Sequence, residues 1–218
     1  MTATVKHIMK PEIINDIEEA VRLVQEGRVV AFPTGTSYGL AADALQGHAL
    51  QRVRNLKQRP EEKTFTVCLN EDRWDEFFEI SADERAFLTT HAGRSFTLLL
   101  SPKEPLKHLA QDGRVGLRMV DHPTMEEFVR AAQVPLTATS ANIAGGIPSA
   151  SPQEVQDTFS WLLDPSDKLI QRAGPTTYDL SLAAILDGGT LEPDKQSTIV
   201  RHVEGKWQVV RQGVEMLA

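Results

Sequence analysis

The sequence predicts an α/β fold: a single domain on a twisted mixed sheet with flanking helices. Helical and extended patterns alternate through the first two thirds of the chain, as they do where helices link strands. Extended patterns then cluster in the last third, which adds antiparallel pairing to parallel. No repeat, charge block or low-complexity linker interrupts the 218 residues, so 1–218 reads as one unit. That length can bury a core without disulfide or metal staples.

The elements follow in order. Residues 12–26 place Ile13, Ile17, Ala20, Val21 and Val24 at helical spacing, and Gly27 suits the stop. RVVAF, 28–32, reads as a buried strand ended by Pro33. Leu50, Val53 and Leu56 renew the helical period over 48–58, and Pro60 ends it. TFTVCL, 64–69, is extended. Ser81 with Glu84 three residues on forms a capping box that opens a helix over 81–92. RSFTLLL (94–100), VGLRMV (115–120) and PLTATS (135–140) are strands, while 122–132 and 151–162 are helices. The segments 181–189, 196–203 and 206–213 are extended and hairpin-like.

Charge and cysteine content narrow the function classes. The net charge is −7, whereas a chain devoted to gripping duplex backbone is usually basic. A local basic cavity remains compatible with that balance. One cysteine, Cys68, excludes an internal disulfide framework and fits a reducing compartment. The first residues lack the apolar run and cleavage site of a secretory leader. No stretch approaches the roughly 20 apolar residues of a membrane span. The expectation is a cytoplasmic protein with no membrane association.

The segment VVAFPTGTSYGL, 29–40, contains G-x-S-x-G at 35–39. That is the composition of a hydrolase nucleophile elbow, in which a strand turns sharply into a helix at the serine. Here YGLAADALQG follows Ser37, and helical spacing returns only near His48. Asp187 and His202 could complete the chain order of a triad, but nothing ties them to Ser37. Two other readings stand. In one, Pro33, Gly35 and Gly39 make a plain strand-exit loop. Alternatively Thr34, Thr36 and Ser37, with the loop amides, donate hydrogen bonds to a bound anion or hydroxyl.

A cationic hinge follows the second helix. Lys57 and Arg59 stand two apart before Pro60, with Lys63 just beyond. Extended backbone before proline would aim the first two the same way. Cations at a helix end also complement its dipole. There is no Walker loop and no G-x-G-x-x-G, so any triphosphate here would have to be held by side chains. Arg offers a planar fork and Lys a point charge for that purpose. PLTATSANIAGGIPSASP is a strand, a polar glycine-rich loop and a helix start. Ser140 and Asn142 stand where ligands gather beyond strand ends, whereas Ser151 before Pro152 reads first as a helix cap. Arg118 in an apolar strand needs a partner, either a structural carboxylate or a substrate's. Arg211, Ser197 and Thr198 lie in late strands. Cys68 reads as a core residue, and the six histidines show no ligand spacing.

Seven segments in series, FPTGTSYGL, KQRPEEK, SFTLLL, VGLRMVDHP, PLTATSAN, STIV and VRQG, resemble the YrdC-like family of threonylcarbamoyl-AMP synthases. The likeness runs from about residue 13 to 213. It implies a sheet folded around a concave, positively lined cavity. It also implies formation of L-threonylcarbamoyladenylate and pyrophosphate from L-threonine, bicarbonate and ATP. The product would serve a tRNA threonylcarbamoyl transferase complex. By resemblance, Lys57 and Arg59 are the catalytic cations. ATP would be held by Lys57, Arg59, Lys63, Ser140, Asn142, Ser151 and Arg211. Threonine would meet Thr34, Thr36, Arg118, Ser140 and Ser197, with Arg118 on its carboxylate. Mg²⁺ is expected on the phosphates, and no protein side chain is its evident ligand. Gly35 and Ser37 stand where the family often has Asp and Val, and Cys68 where some members have His. Two alternatives accompany this reading: a YciO-like paralogue with another substrate, and a tRNA- or double-stranded-RNA-binding module using Arg52, Arg54, Lys57, Arg59 and Lys63.

Overall fold

The computed structural model describes residues 10–60, 63–160, 181–192 and 196–217. Chain order runs β1 (Glu12–Ile14), α1 (Ile17–Gln25), β2 (Val30–Pro33), β3 (Tyr38–Ala41), α2 (Gly47–Lys57) and β4 (Val67–Cys68). After a 3-10 turn come α3 (Trp74–Phe77), β5 (Phe78–Glu79), α4 (Ala82–Thr90) and β6 (Phe96–Pro102). A second 3-10 stretch, Glu104–Leu109, leads to β7 (Val115–Arg118), α5 (Pro123–Ala132), β8 (Leu136–Thr137), β9 (Thr139–Ser140) and α6 (Pro152–Ser160). Then follow β10 (Ala184–Leu186), β11 (Thr198–Val203) and β12 (Lys206–Arg211).

The described strands form two mixed sheets rather than one. The first runs β1-β10-β2-β3-β9, and the second β12-β11-β6-β7-β4-β8 with β5 beside β6. The strip from Leu136 to Ser140 joins them. Its first half, β8, pairs antiparallel with β4 in the second sheet. Its second half, β9, pairs antiparallel with β3 in the first. Between the halves, the Ala138 amide donates to the Thr66 carbonyl at 2.9 Å. The sheets therefore diverge from this strip and leave a concavity between them.

Two apolar clusters flank the first sheet. Val30 and Phe32 point into a layer made by Ala20, Leu23 and Val24 of α1 and Met125, Phe128 and Val129 of α5. Ala31, Tyr38 and Leu40 join α2 and the second sheet in a larger core. The β2 strand is buried on both faces, which is why its sequence shows no alternation. Phe32 and Phe128 rings lie 5.9 Å apart at 60°. Truncating either to Ala would cost about 3–5 kcal/mol.

Several expected boundaries shift. Residues 12–26 are not one helix: 12–14 form an edge strand parallel to β10. Helix α1 starts only after Asp16, whose carboxylate accepts from the Glu18 and Glu19 amides. The capping box at Ser81 and Glu84 is present in both directions. Helix α2 ends at Lys57, not at Pro60, because Gln58 takes a left-handed conformation with φ of 50°. The expected strand over 64–69 is paired only at Val67 and Cys68. Residues 161–162 of the last expected helix lie outside the described residues.

Candidate active site

A cavity of about 950 Å³ opens between the two sheets beside the joining strip. Its walls come from the β2–β3 turn, the end of α2 with the chain after it, residues 111–114 before β7, the strands β6, β7, β11 and β12, and residues 138–146. Among the described lining residues, Lys57, Arg59, Lys63, Arg114, Arg118, Arg201 and Arg211 are cationic, and Asp112 is the one carboxylate. Such a wall suits an anionic occupant.

The β2–β3 connection excludes a nucleophile elbow. After residues 34–37 the chain returns antiparallel, with Pro33 opposite Tyr38 and Phe32 opposite Gly39. No helix starts at Ser37. Thr34 organises the turn instead: its amide donates to the Ser37 carbonyl at 3.2 Å, and its hydroxyl donates to the same oxygen at 2.7 Å. That hydroxyl also accepts from the Thr36 amide at 3.2 Å. Thr36 Oγ1 lies 3.2 Å from Thr34 Oγ1, so the two hydroxyls form a buried pair on the cavity wall.

Lys57 meets Ser140 and Asn142 although it lies more than eighty residues before them in sequence. The Lys57 side chain is buried. Its ammonium donates to the Ser140 carbonyl, to the Asn142 carbonyl at 2.9 Å and to Asn142 Oδ1 at 3.1 Å. Ser140 Oγ donates to Asn142 Oδ1 at 2.6 Å, and Asn142 Nδ2 donates to the Ile143 and Gly146 carbonyls at 2.8 and 2.7 Å. One lysine thus shapes the polar loop after β9 into a closed network. Desolvation, and then the Arg59 charge, push the Lys57 ammonium down to about 7.

The left-handed Gln58, rather than extended backbone, turns the chain so that Arg59 also faces the cavity. Its guanidinium lies over Phe65, with Cζ 5.2 Å from the ring centre. Nη1 donates to Thr139 Oγ1 at 3.1 Å, Nη2 donates to the Thr64 carbonyl, and the buried Nε has no hydrogen-bond partner. Desolvation, then the Arg54 charge, lower its pKa. Phe65 was not legible as part of the site, although an aromatic directly after a cationic hinge is a usable signal for a stacked guanidinium.

Arg118 lies on the opposite side, buried in β7. Nη1 donates to the Met119 carbonyl at 2.8 Å and to the Phe96 carbonyl at 3.3 Å, and Nη2 donates to Asp121 Oδ2. The structural salt bridge is therefore real, and it uses three of five N–H donors, which leaves two. Next to it, Ser197 Oγ lies 2.9 Å from Thr97 Oγ1. Arg211 donates to the Ser197 carbonyl at 2.8 Å, to Ser197 Oγ at 3.3 Å and to Gln196 Oε1 at 2.5 Å. Desolvation and then the nearby Arg118 charge lower the Arg211 pKa.

Some expected residues stand elsewhere. Ser151 is not on the cavity lining; its Oγ accepts from the Glu154 amide at 3.2 Å as the cap of α6. Cys68 is fully buried in the α1–α5 layer, with its thiol pushed up to about 12 by burial. Arg52 donates to the Gly27 carbonyl and Arg54 lies over Phe65 at 4.9 Å; of the five cations 52–63, Lys57, Arg59 and Lys63 line the cavity and these two do not. Thr97, Arg114, Arg201 and Asp121 were not singled out by sequence. A carboxylate three residues after a strand-buried arginine is the signal for the last. No cluster of three or more metal-type ligands occurs among the described residues. With Asp112 as the single described carboxylate on the wall, the donors do not fit a protein-built magnesium site. No helix among the described residues is long and apolar enough to cross a membrane.

The chain is similar to known proteins over most of its length. The Sua5/YciO/YrdC family, described as telomere recombination, matches residues 22–213. A Vibrio parahaemolyticus protein named threonylcarbamoyl-AMP synthase is 28% identical over 206 residues, covering 92% of this chain and all of its own. A Mus musculus protein of the same name is 33% identical over 209 residues, covering 90% of this chain and 66% of its own. The crystal structure of P. abyssi Sua5 complexed with L-threonine superposes with a TM-score of 0.74 at 26% identity. That match covers 90% of this chain and 54% of the Sua5 chain, so this chain spans about half the length of that relative. The chain belongs to the Sua5/YciO/YrdC family.

Proposed function

We propose that this protein is a threonylcarbamoyl-AMP synthase, a nucleotidyl-transfer enzyme acting on L-threonine, bicarbonate and ATP. Its product would be passed, in the cytoplasm, to a tRNA threonylcarbamoyl transferase. The observation that carries the reading is the shared cavity. Lys57, Arg59, Ser140 and Asn142 line one part of it, and Arg118, Ser197 and Thr36 line another.

The chemistry asks for two anions to be held together. Threonine's amine and bicarbonate give a carbamate with loss of water. A carbamate oxygen then attacks the α-phosphorus of ATP. The new P–O bond forms as the bond to the β-phosphate oxygen breaks, and pyrophosphate leaves. No protein nucleophile takes part. Proximity and electrostatic stabilisation supply the acceleration.

Each wall has a role in this scheme. Arg59, Lys63 and Arg211 face the phosphates, while Lys57 adds charge as it holds the loop carrying Ser140 and Asn142. The two remaining donors of Arg118 take the amino-acid carboxylate. Thr36, with Thr34 behind it, and Ser197 receive the amino and hydroxyl groups. Magnesium, if used, arrives with the triphosphate. The test is incubation with ATP, bicarbonate and each amino acid in turn, with the adenylate identified by mass. Threonine alone among the common amino acids should give efficient turnover. Preference for another amino acid would overturn the substrate assignment.

A further inference from the structure

We propose that Asp121 is the positioning residue that sets threonine selectivity, by tying the Arg118 guanidinium and the Thr36-bearing turn to one carboxylate. This inference rests on the functional reading above and deepens it. Asp121 does not line the cavity. It acts through the groups that do.

Both carboxylate oxygens are committed, and they reach three separate parts of the chain. Oδ1 accepts from the Gly35 amide at 2.9 Å, across 86 residues of sequence. Oδ2 accepts from Ser95 Oγ at 2.5 Å and from Arg118 Nη2. The carbonyl of Ser95 in turn accepts from the Thr198 amide at 3.0 Å, which fixes the strand beginning beside Ser197. The side chains of Arg118 and Asp121 are 6% and 2% exposed, so solvent cannot replace either partner. A single buried anion therefore joins the β2–β3 turn, β7 and the β6–β11 seam.

The fit also explains the residue at position 35. A Cβ on Gly35 would lie 2.5 Å from Asp121 Oδ2, 2.7 Å from its Cγ and 3.0 Å from its backbone carbonyl oxygen. The missing side chain is the space the carboxylate occupies. Because the Gly35 amide is held at one carboxylate oxygen and the guanidinium at the other, the spacing between Arg118 and the Thr36 hydroxyl is fixed. An amino acid held by its carboxylate on Arg118 then presents its β-carbon substituent to a hydroxyl pair at a set distance. A site that hydrogen-bonds a substrate hydroxyl rejects analogues lacking it, because its own polar groups would go unpaired.

The experiment compares wild type, Asp121→Asn and Gly35→Ala in adenylate formation, with threonine, serine and valine each titrated. Asp121→Asn keeps the shape but removes the charge and one acceptor. Gly35→Ala keeps the carboxylate but forces it from its place. Both variants should raise the KM for threonine about tenfold and narrow the preference for threonine over valine. The KM for ATP should stay within about twofold and kcat within about threefold. A folded Asp121→Asn protein with unchanged threonine KM and selectivity overturns the inference, as does an equal rise in both KM values. Should Asp121→Asn fail to fold, Gly35→Ala decides alone on the same criteria. Wild-type protein inert toward threonine would instead remove the functional reading, and this inference with it.

Discussion

Lys57 Nζ and the Asn142 carbonyl oxygen lie 2.9 Å apart, joined across 85 residues of sequence. With Ser140 O and Asn142 Oδ1 as its other acceptors, the ammonium spends all three donors on one loop. The lysine is thus first an organiser of the loop and only then a charge for a ligand. A neutral amine has two N–H groups, so losing the proton would release one of those contacts.

Proton uptake should accompany nucleotide binding. Burial and Arg59 push Lys57 down to about 7, so at about pH 8 most of the free protein carries a neutral amine. A triphosphate beside it favours the ammonium and raises that pKa. Nucleotide affinity should therefore fall as pH rises above 7, until the pKa of the bound form is passed. Titration calorimetry near pH 8 in two buffers of different ionisation enthalpy should show uptake for wild type and none for Lys57→Met. Equal heats in both buffers for wild type would contradict this.

Arg59 combines a stacked ring face with two anchored nitrogens. In the proposed reaction, its loss would remove a desolvated cation facing the charge that develops on pyrophosphate. Arg59→Ala should lower kcat/KM by at least about a hundredfold. Arg59→Lys should restore little, since an ammonium supplies neither the fork nor the stack. Near wild-type turnover in Arg59→Ala would remove the cation from the mechanism.

Ser37 gives its backbone to a hairpin turn organised by Thr34. Ser37→Ala should keep turnover within about threefold, because surface and turn substitutions that preserve backbone bonds are mild. A fluorophosphonate probe should leave the wild-type protein unlabelled. Stoichiometric labelling lost in Ser37→Ala would revive the serine-nucleophile reading.

Gly213 lies against Gln196 and Ser197, the residues just before β11. A Cβ there would stand 2.0 Å from the Gln196 carbonyl oxygen and 2.5 Å from the Ser197 carbonyl carbon. Those are backbone atoms and cannot rotate away. Gly213→Ala should cost about 1–3 kcal/mol of stability, visible as a lower melting temperature. It should also raise the KM for threonine. An unchanged melting temperature would show that the backbone yields freely.

The family resemblance of KQRPEEK and PLTATSAN implied that Lys57, Arg59, Ser140 and Asn142 share a site, whereas the residue types alone left helix-end and loop roles open. It did not carry the route. The left-handed Gln58 delivers Arg59 to the cavity, and nothing in a single glutamine announces that turn. The β3 strand was read as loop because its first residues complete G-x-S-x-G, and four uniformly buried residues show no alternation. Residues 12–14 merged into the following helix because their partner, β10, lies more than 170 residues away. The strip 135–140 looked like one strand. Its break at Ala138, where the two sheets part, depends on pairing partners that only the assembled fold supplies.

Mass spectrometry of a turnover mixture containing carbon-13 bicarbonate tests the central claim most directly, because it reads product and polypeptide together. The account predicts a threonylcarbamoyl adenylate heavier by the single labelled carbon, beside an intact protein of unchanged mass at every time point. An adenylyl or carbamoyl group found on the polypeptide, or an adenylate without the label, would contradict it.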